Sequence, residues 1–439
     1  MSTELRRVLF VSGSGSGNTL RYRVRLAEEA LRSRGVRTTA VHFTDPLARR
    51  WADGADVVAL YRTPATRRVL DLVSHARDDL GIPVTFDIDD LVFLPTHLSS
   101  IPFLDDLPDR TRRIFEADVT RRGNVVPFVD RASGTTYPVV EDLRTLTAAP
   151  VDVVPNGVSR LGREIAAGTV RRAPDGRIRL GYFSGSATHD EDWREAEPAV
   201  LDLLESDARV DLWLVGPLAT GPALDRFGDR VVRVLPVPWQ ELPELLASVD
   251  INLAPLDVTP FTSGKSAIKW LEAALVGTPT IATATPPFRD AVVDGHSGLL
   301  VEPGGDWAAA LDRLVSDNAL RASVGEGART AALEGYSPEV QAERYHSFFT
   351  AALDGPRAVV DRQALRRVRD AEGLPRGFGF DLEAYPFDAA ATALELATPR
   401  GADALAGTRR SVRAAGLFGR RYYRGAVRRI KDVRKTNAG

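Results

Sequence analysis

Along the first 350 residues, short apolar runs alternate with longer segments of helical periodicity. Residues 7–12 (RVLFVS) form an apolar run that ends in a glycine–serine loop, and a helical pattern follows through Leu26, Ala30 and Leu31 to a stop at Gly35. Strand-like runs recur at 38–43, 56–61, 83–86 and 124–129, most of them separated by helical segments. Strands that are apolar throughout and lie between helices predict a parallel sheet covered on both faces. Residues 151–159 (VDVVPNGVS) combine a strand with a Pro-Asn-Gly turn and read as a boundary, and 163–179 reads as a polar helix and linker. A second series follows, with strands at 178–183, 210–215, 231–235, 251–254, 280–282 and 298–301, and helices at 195–204, 239–247, 266–275 and 307–316. The expected class is α/β: two Rossmann-like doubly wound parallel-sheet domains, residues 1–160 and 161–350, facing across a cleft. In such sheets ligands sit at the carboxyl ends of the strands.

The pattern changes in residues 351–439, which read as a helical, basic extension. Residues 400–439 carry twelve Arg or Lys against two Asp, and Phe418, Tyr422, Tyr423, Ala426, Val427 and Ile430 recur at helical spacing. This is a basic amphipathic helix, suited either to an anionic membrane surface or to packing back on the first domain.

Composition narrows the functional classes. The net charge of −2 over 439 residues leaves no overall bias toward nucleic acid or membrane, and no nucleic-acid partner is expected. The absence of cysteine excludes disulfides, thiol catalysis and thiolate metal sites. The first residues form too short an apolar run for a signal peptide, and no run of 18 apolar residues occurs, so a cytoplasmic location is expected. Of 57 basic side chains only four are lysines, Lys265, Lys269, Lys431 and Lys435. The first pair, four residues apart, stands out, because a compact ammonium and a forked guanidinium are not interchangeable at a phosphate site.

Four stretches are candidates for chemistry. The loop 13–25 (GSGSGNTLRYRVR) has small residues, Gly15 among them, that let backbone approach a ligand, but Asn18 stands where a dinucleotide fingerprint needs its third glycine. Arg21 and Arg23 follow, either reaching an anionic ligand across the cleft or remaining solvated. In 86–91 (FDIDDL), Asp87, Asp89 and Asp90 end a strand, where they can cap the next segment, contact sugar hydroxyls or hold a divalent metal; hydroxyl contacts are favoured in this arrangement. In 181–193 (GYFSGSATHDEDW), a strand opens into Gly185, Ser186, Thr188 and His189, small hydroxyls and free N–H groups that suit a diphosphate. In 261–272 (FTSGKSAIKWLE), Lys265, Lys269 and Glu272 are expected on one helical face, the cations toward phosphates and the carboxylate toward ribose hydroxyls.

The ordered set VPNGVS, GYFSGSATHDEDW, LWLVGP, LPVPWQELPELLASVDINLAPL, FTSGKSAIKWLEAALVGTPTIAT and DGHSGLLVEP resembles glycosyltransferase family 4. LRYRVRLAEEALRSRG and FDIDDLVF in the first half also match, so the resemblance covers about residues 5–350. It is nearest to the branch that acts on polysaccharide, O-antigen or similar glycans. It implies the GT-B fold and retaining transfer from a nucleotide-diphosphate-sugar to a glycan, lipid-linked or small-molecule hydroxyl, with no metal or other cofactor. By that resemblance Glu272 binds ribose, and Lys265 and Lys269 neutralise the diphosphate. Gly185 and Ser186 present N–H groups, residues 235–239 with Pro236 border the base, and Asp87 lies at the sugar pocket. Ser266 and Thr188 join the donor site, His189 and Asp87 the catalytic set, and Arg21, Arg23, Asp89 and Asp90 the acceptor side. The chain departs at Gly264, where the family carries the first of two glutamates. That departure keeps open a second reading, a non-transferring nucleotide-sugar binder or an epimerase on the same fold.

Overall fold

The computed structural model describes residues 4–371 apart from 15–16, 102–103, 106, 108, 185–189, 217 and 219. Among the described residues, twelve strands form two sheets of six, parallel throughout. In the first are β1 (Arg7–Ser12), β2 (Arg37–His42), β3 (Val57–Tyr61), β4 (Val84–Ile88), β5 (Arg131–Gly134) and β6 (Val151–Val153), ordered β2-β1-β3-β4-β5-β6. In the second are β7 (Ile178–Phe183), β8 (Val210–Val215), β9 (Val231–Val234), β10 (Ile251–Ala254), β11 (Thr280–Thr283) and β12 (Leu299–Val301), ordered β12-β11-β10-β7-β8-β9. The strand order reverses beside β1 in one sheet and between β7 and β10 in the other. These are the switch points where the crossover connections part and leave a crevice.

The α/β expectation holds, and β1 shows why the chain adopts it. Val8 and Phe10 pack on one side with Leu26, Ala27 and Leu31, while Leu9 and Val11 pack on the other with Val69, Leu70 and Val73. A strand apolar at every position requires helices on both faces.

Two expectations fail. Residues 124–129 are not a strand: they end the helix Asp109–Val125 and form the turn Val126–Phe128. The apolar run is buried as a helix terminus, with Pro127 inside the turn, and the neighbouring strand β5 is the short, weakly apolar RASG. A short apolar run does not by itself distinguish the two states. Likewise the helix expected at 266–275 is only Ile268–Ala274, preceded by the 3-10 turn Thr262–Gly264.

The chain crosses between the domains twice, side by side: Val158 N donates to Tyr336 O at 2.9 Å. The second crossing enters the helix Pro338–Asp354, N-capped by the Ser337 hydroxyl, which returns to the first sheet and packs Phe349 edge-on against Phe10. The helix Arg362–Ala371 follows and buries Leu365 in the same domain. No described helix is long and apolar enough to cross a membrane. The basic stretch 400–439 lies outside the described residues.

Candidate functional site

The carboxyl ends of both sheets face one cleft, and polar contacts cross it. Thr136 Oγ1 donates to Gly264 O at 3.0 Å, Asn156 Nδ2 to Ser266 Oγ at 3.0 Å, and Thr259 Oγ1 to Ser100 O at 3.1 Å.

On the first-domain wall, Arg23 is only 1% exposed. Its guanidinium takes both carboxylate oxygens of Asp87, with Nε 2.8 Å from Oδ2, and donates to Val154 O at 2.6 Å. Burial alone would lower the Arg23 pKa, but Asp87 together with Tyr345 and Asp89 outweighs it and the net shift is upward. Asp87 also accepts from Ser133 Oγ at 2.7 Å. Arg23 is therefore a buried strut rather than a free cation at the cleft mouth.

Asp89 and Asp90 are gripped by Arg62, which follows β3. Arg62 Nη2 lies 3.0 Å from Asp90 Oδ2, and Tyr61 Oη donates to Asp89 Oδ1 at 2.9 Å. Burial pushes the Asp89 carboxyl up despite Arg62. It pushes Asp90 the same way, but Lys265 and Arg62 hold that carboxyl below its usual value. Arg62 has φ of +48°, the one described non-glycine residue in the left-handed region. Such a conformation costs on the order of 1–3 kcal/mol and persists only where the surroundings enforce it. Here Arg62 N donates to Asp87 O at 2.9 Å, and a Cβ at Gly13 would stand 2.2 Å from Arg62 O, so only glycine fits beside it.

On the second-domain wall, Lys265 and Lys269 do not share a helical face. Lys265 follows the 3-10 turn in extended conformation, and its Nζ lies 3.5 Å from Asp90 Oδ1, across the cleft. Lys269 is inside the helix, its Nζ 4.6 Å from the Tyr182 ring centre. That Nζ is buried without a hydrogen-bond partner among the described residues. Burial pulls its pKa down to about 8, with Asp192 opposing. Before the helix, Gly264 is buried against the first domain, and a Cβ there would meet Leu91 at 2.8 Å.

Glu272, one turn beyond Lys269, accepts from Tyr22 Oη and, at 3.2 Å, from Arg21 Nη2. The Arg21 guanidinium lies 4.2 Å from the ring centre of Trp239 and 4.2 Å from that of Tyr22. Burial and then Glu272 push the Tyr22 hydroxyl pKa well up. Pro236 is exposed just beyond β9. Gly15, Gly185, Ser186, Thr188 and His189 lie outside the described residues.

Thus Arg21, Lys265, Lys269, Ser266, Glu272, Asp87, Asp89 and Asp90 converge on the cleft, and Arg23 supports it from behind. Arg62, Tyr22 and Asn156 were not anticipated. Asn156 lay inside the boundary motif, and Arg62 directly follows a strand, the position that borders a crevice in these sheets.

This fold is GT-B. HepE of Anabaena in complex with UDP superposes with a TM-score of 0.56 at 14% identity, covering 79% of this chain and 100% of that one. Sucrose-phosphate synthase of Thermosynechococcus elongatus superposes with a TM-score of 0.56 at 16% identity, covering 78% and 98%. Residues 188–317 match the family model "Glycosyl transferases group 1". The relatedness to GT-B glycosyltransferases expected from the motifs therefore stands. Among curated relatives, the D-inositol 3-phosphate glycosyltransferase of Corynebacterium aurimucosum is 40% identical over 103 residues, 23% of each chain. The 2-deoxystreptamine glucosyltransferase of Streptomyces kanamyceticus is 28% identical over 211 residues, 43% of this chain and 53% of that one. The chain thus spans about a quarter to a half of the length of such relatives.

Proposed function

We propose that the protein transfers a glycosyl group from a nucleotide-diphosphate-sugar to an acceptor hydroxyl. The observation that carries this reading is Lys269, a buried cation with no hydrogen-bond partner among the described residues, beside the β7–β10 switch point. A buried ammonium without a hydrogen-bonded anion is costly, and a diphosphate supplies the missing acceptors. Glu272 lies one turn away, spaced for ribose hydroxyls once Tyr22 and Arg21 release it.

In this reading the bond from the sugar's anomeric carbon to the diphosphate oxygen breaks, and the acceptor oxygen bonds to that carbon. The acceptor proton passes to a donor phosphate oxygen. Lys269 and Lys265 stabilise the departing diphosphate, the main electrostatic demand of the step. Attack from the face the diphosphate leaves gives retention, and the lysines take the place of a metal. Asp89 and Asp90, held by Arg62, offer acceptors to the incoming hydroxyl. HepE, whose structures include UDP and UDP-glucose, shares this fold, which fits a nucleotide-sugar donor and leaves the base open.

The acceptor class extends to glycans, lipid-linked sugars and small molecules, and the reading includes a cytoplasmic location with residues 400–439 at the membrane's inner face. Donor turnover and product formation with UDP-, GDP- and dTDP-sugars test the reaction. Binding of every nucleotide sugar without hydrolysis or transfer would favour the non-transferring alternative. Liposome sedimentation with and without residues 400–439 tests the membrane contact, and equal binding by both proteins would end that idea.

A further inference from the structure

Away from the cleft, at the amino ends of the first-domain strands, lies a cavity of about 470 Å³. It is bounded by the helix Arg67–Ser74 with its continuation His75–Asp79, and by the helix Arg362–Ala371. Among the described residues its charged lining is Arg77, Arg357, Arg362, Arg366 and Arg369 against a single carboxylate, Asp78. Helical periodicity explains part of this. Arg362, Arg366 and Arg369 share one face, while Leu365 is buried in the domain core and fixes the helix in place.

The charges are not all balanced. Arg77 pairs with Asp130 at 2.5 Å, Arg362 with Asp78 at 2.9 Å, and Arg369 with Asp370 at 3.1 Å. Arg357 is fixed by backbone carbonyls instead, donating to Ala352 O at 3.0 Å and Gly81 O at 3.3 Å. Those bonds orient the guanidinium but leave its charge uncompensated. Arg366 has no ion pair or hydrogen bond among the described residues. Two guanidiniums without a carboxylate partner, beside three paired ones, give this concave site a local positive charge that an anion would neutralise. Guanidinium forks match phosphate oxygens two at a time, which a carboxylate-poor, arginine-lined pocket uses better than a lone ammonium does.

We propose that this cavity binds a phosphate-bearing ligand, a phosphomonoester whose oxygens meet Arg357 and Arg366. The site is separate from the donor cleft and does not depend on the proposed reaction. Lipid headgroups and soluble phosphate esters share this chemistry.

The test is calorimetric titration of the full chain with inorganic phosphate and with glycerol 3-phosphate at fixed ionic strength. Arg366→Glu and the double variant Arg357→Ala/Arg366→Ala are each expected to weaken binding about tenfold or more, the effect of losing a charge-assisted contact. Arg209→Ala, an exposed arginine of the second domain, should bind like the parent protein. Arg366 is exposed, so Arg366→Glu should fold and melt normally. Unchanged affinity in both pocket variants overturns the proposal, as does an equal loss in Arg209→Ala. Sedimentation with phosphatidylcholine vesicles containing phosphatidic acid separates the sources. Weaker vesicle binding by Arg366→Glu assigns a lipid headgroup, and equal vesicle binding alongside weakened phosphate binding assigns a soluble ester.

Discussion

The two walls of the cleft handle charge in opposite ways. On the first-domain wall Arg23 is matched to Asp87, and Arg62 to Asp89 and Asp90. On the second-domain wall Lys269 lies with its ammonium buried and without a hydrogen-bond partner among the described residues. A satisfied pair is a scaffold, because its field is largely cancelled and its removal is felt in folding. An unsatisfied buried cation is a receptor, because its desolvation has already been imposed by the fold and a ligand recovers it. In the proposed reading this difference puts ligand charge on the second wall, although acidic and basic residues crowd both.

The sharpest test of this contrast is Lys269→Ala. Turnover should fall about 100- to 1000-fold, in line with loss of one preorganised stabilising group, while thermal stability stays level or rises. A variant with normal turnover would break the comparison. Next comes Arg23→Ala, which leaves the partly buried Asp87 without its guanidinium. Urea denaturation should report a loss of about 3–5 kcal/mol. Replacing both residues by apolar ones should cost less, since no buried charge is then stranded.

A pH effect of about 1–3 kcal/mol should follow from Lys269, whose folded pKa is near 8 and whose unfolded value is near 10.5. Between those values the unfolded chain binds more protons, so ligand-free stability should rise from pH 8 to 10.5 and be flat below pH 8. Lys269→Met should abolish that slope, and a slope unchanged in the variant would show that another group causes it. In the same interval, binding of a nucleoside diphosphate should take up a proton and weaken as pH rises, readable by calorimetry in two buffers.

Gly264→Glu should cost roughly 1–3 kcal/mol by forcing Leu91 aside, with Leu91→Ala restoring part of it. Smallest is Arg21→Ala, a partly exposed pair worth under about 1 kcal/mol in stability. It should, however, make Glu272 more available and tighten nucleotide binding. Weaker binding would instead make Arg21 a ligand contact.

Much of the fold was legible because the relevant forces are local. Apolar strands such as RVLFVS and IRLGYF, bounded by glycine, serine and proline, announce buried parallel strands, and both appear at the expected residues. The run at 124–129 was misread because burial demands apolar residues of helix ends and strands alike. The site was legible in its residue types. The lysine pair, Glu272 and the acidic triplet were visible as unusual chemistry at strand ends. Their partners were not, since Arg23 and Asp87 are separated by 64 residues and Arg21 and Glu272 by 251.

By itself the sequence determined the α/β alternation, two successive sheets and the cations and carboxylates available at their edges, because periodicity and burial act over a few residues at a time. Only the tertiary structure decided which charges cancel. The approach of Leu91 to Gly264 accompanies an extended backbone at Lys265, which faces Asp90, while Lys269 stays in the helix beneath Tyr182. Whether a charge is scaffold or receptor depends on distances between segments far apart in the chain, and no local pattern encodes them.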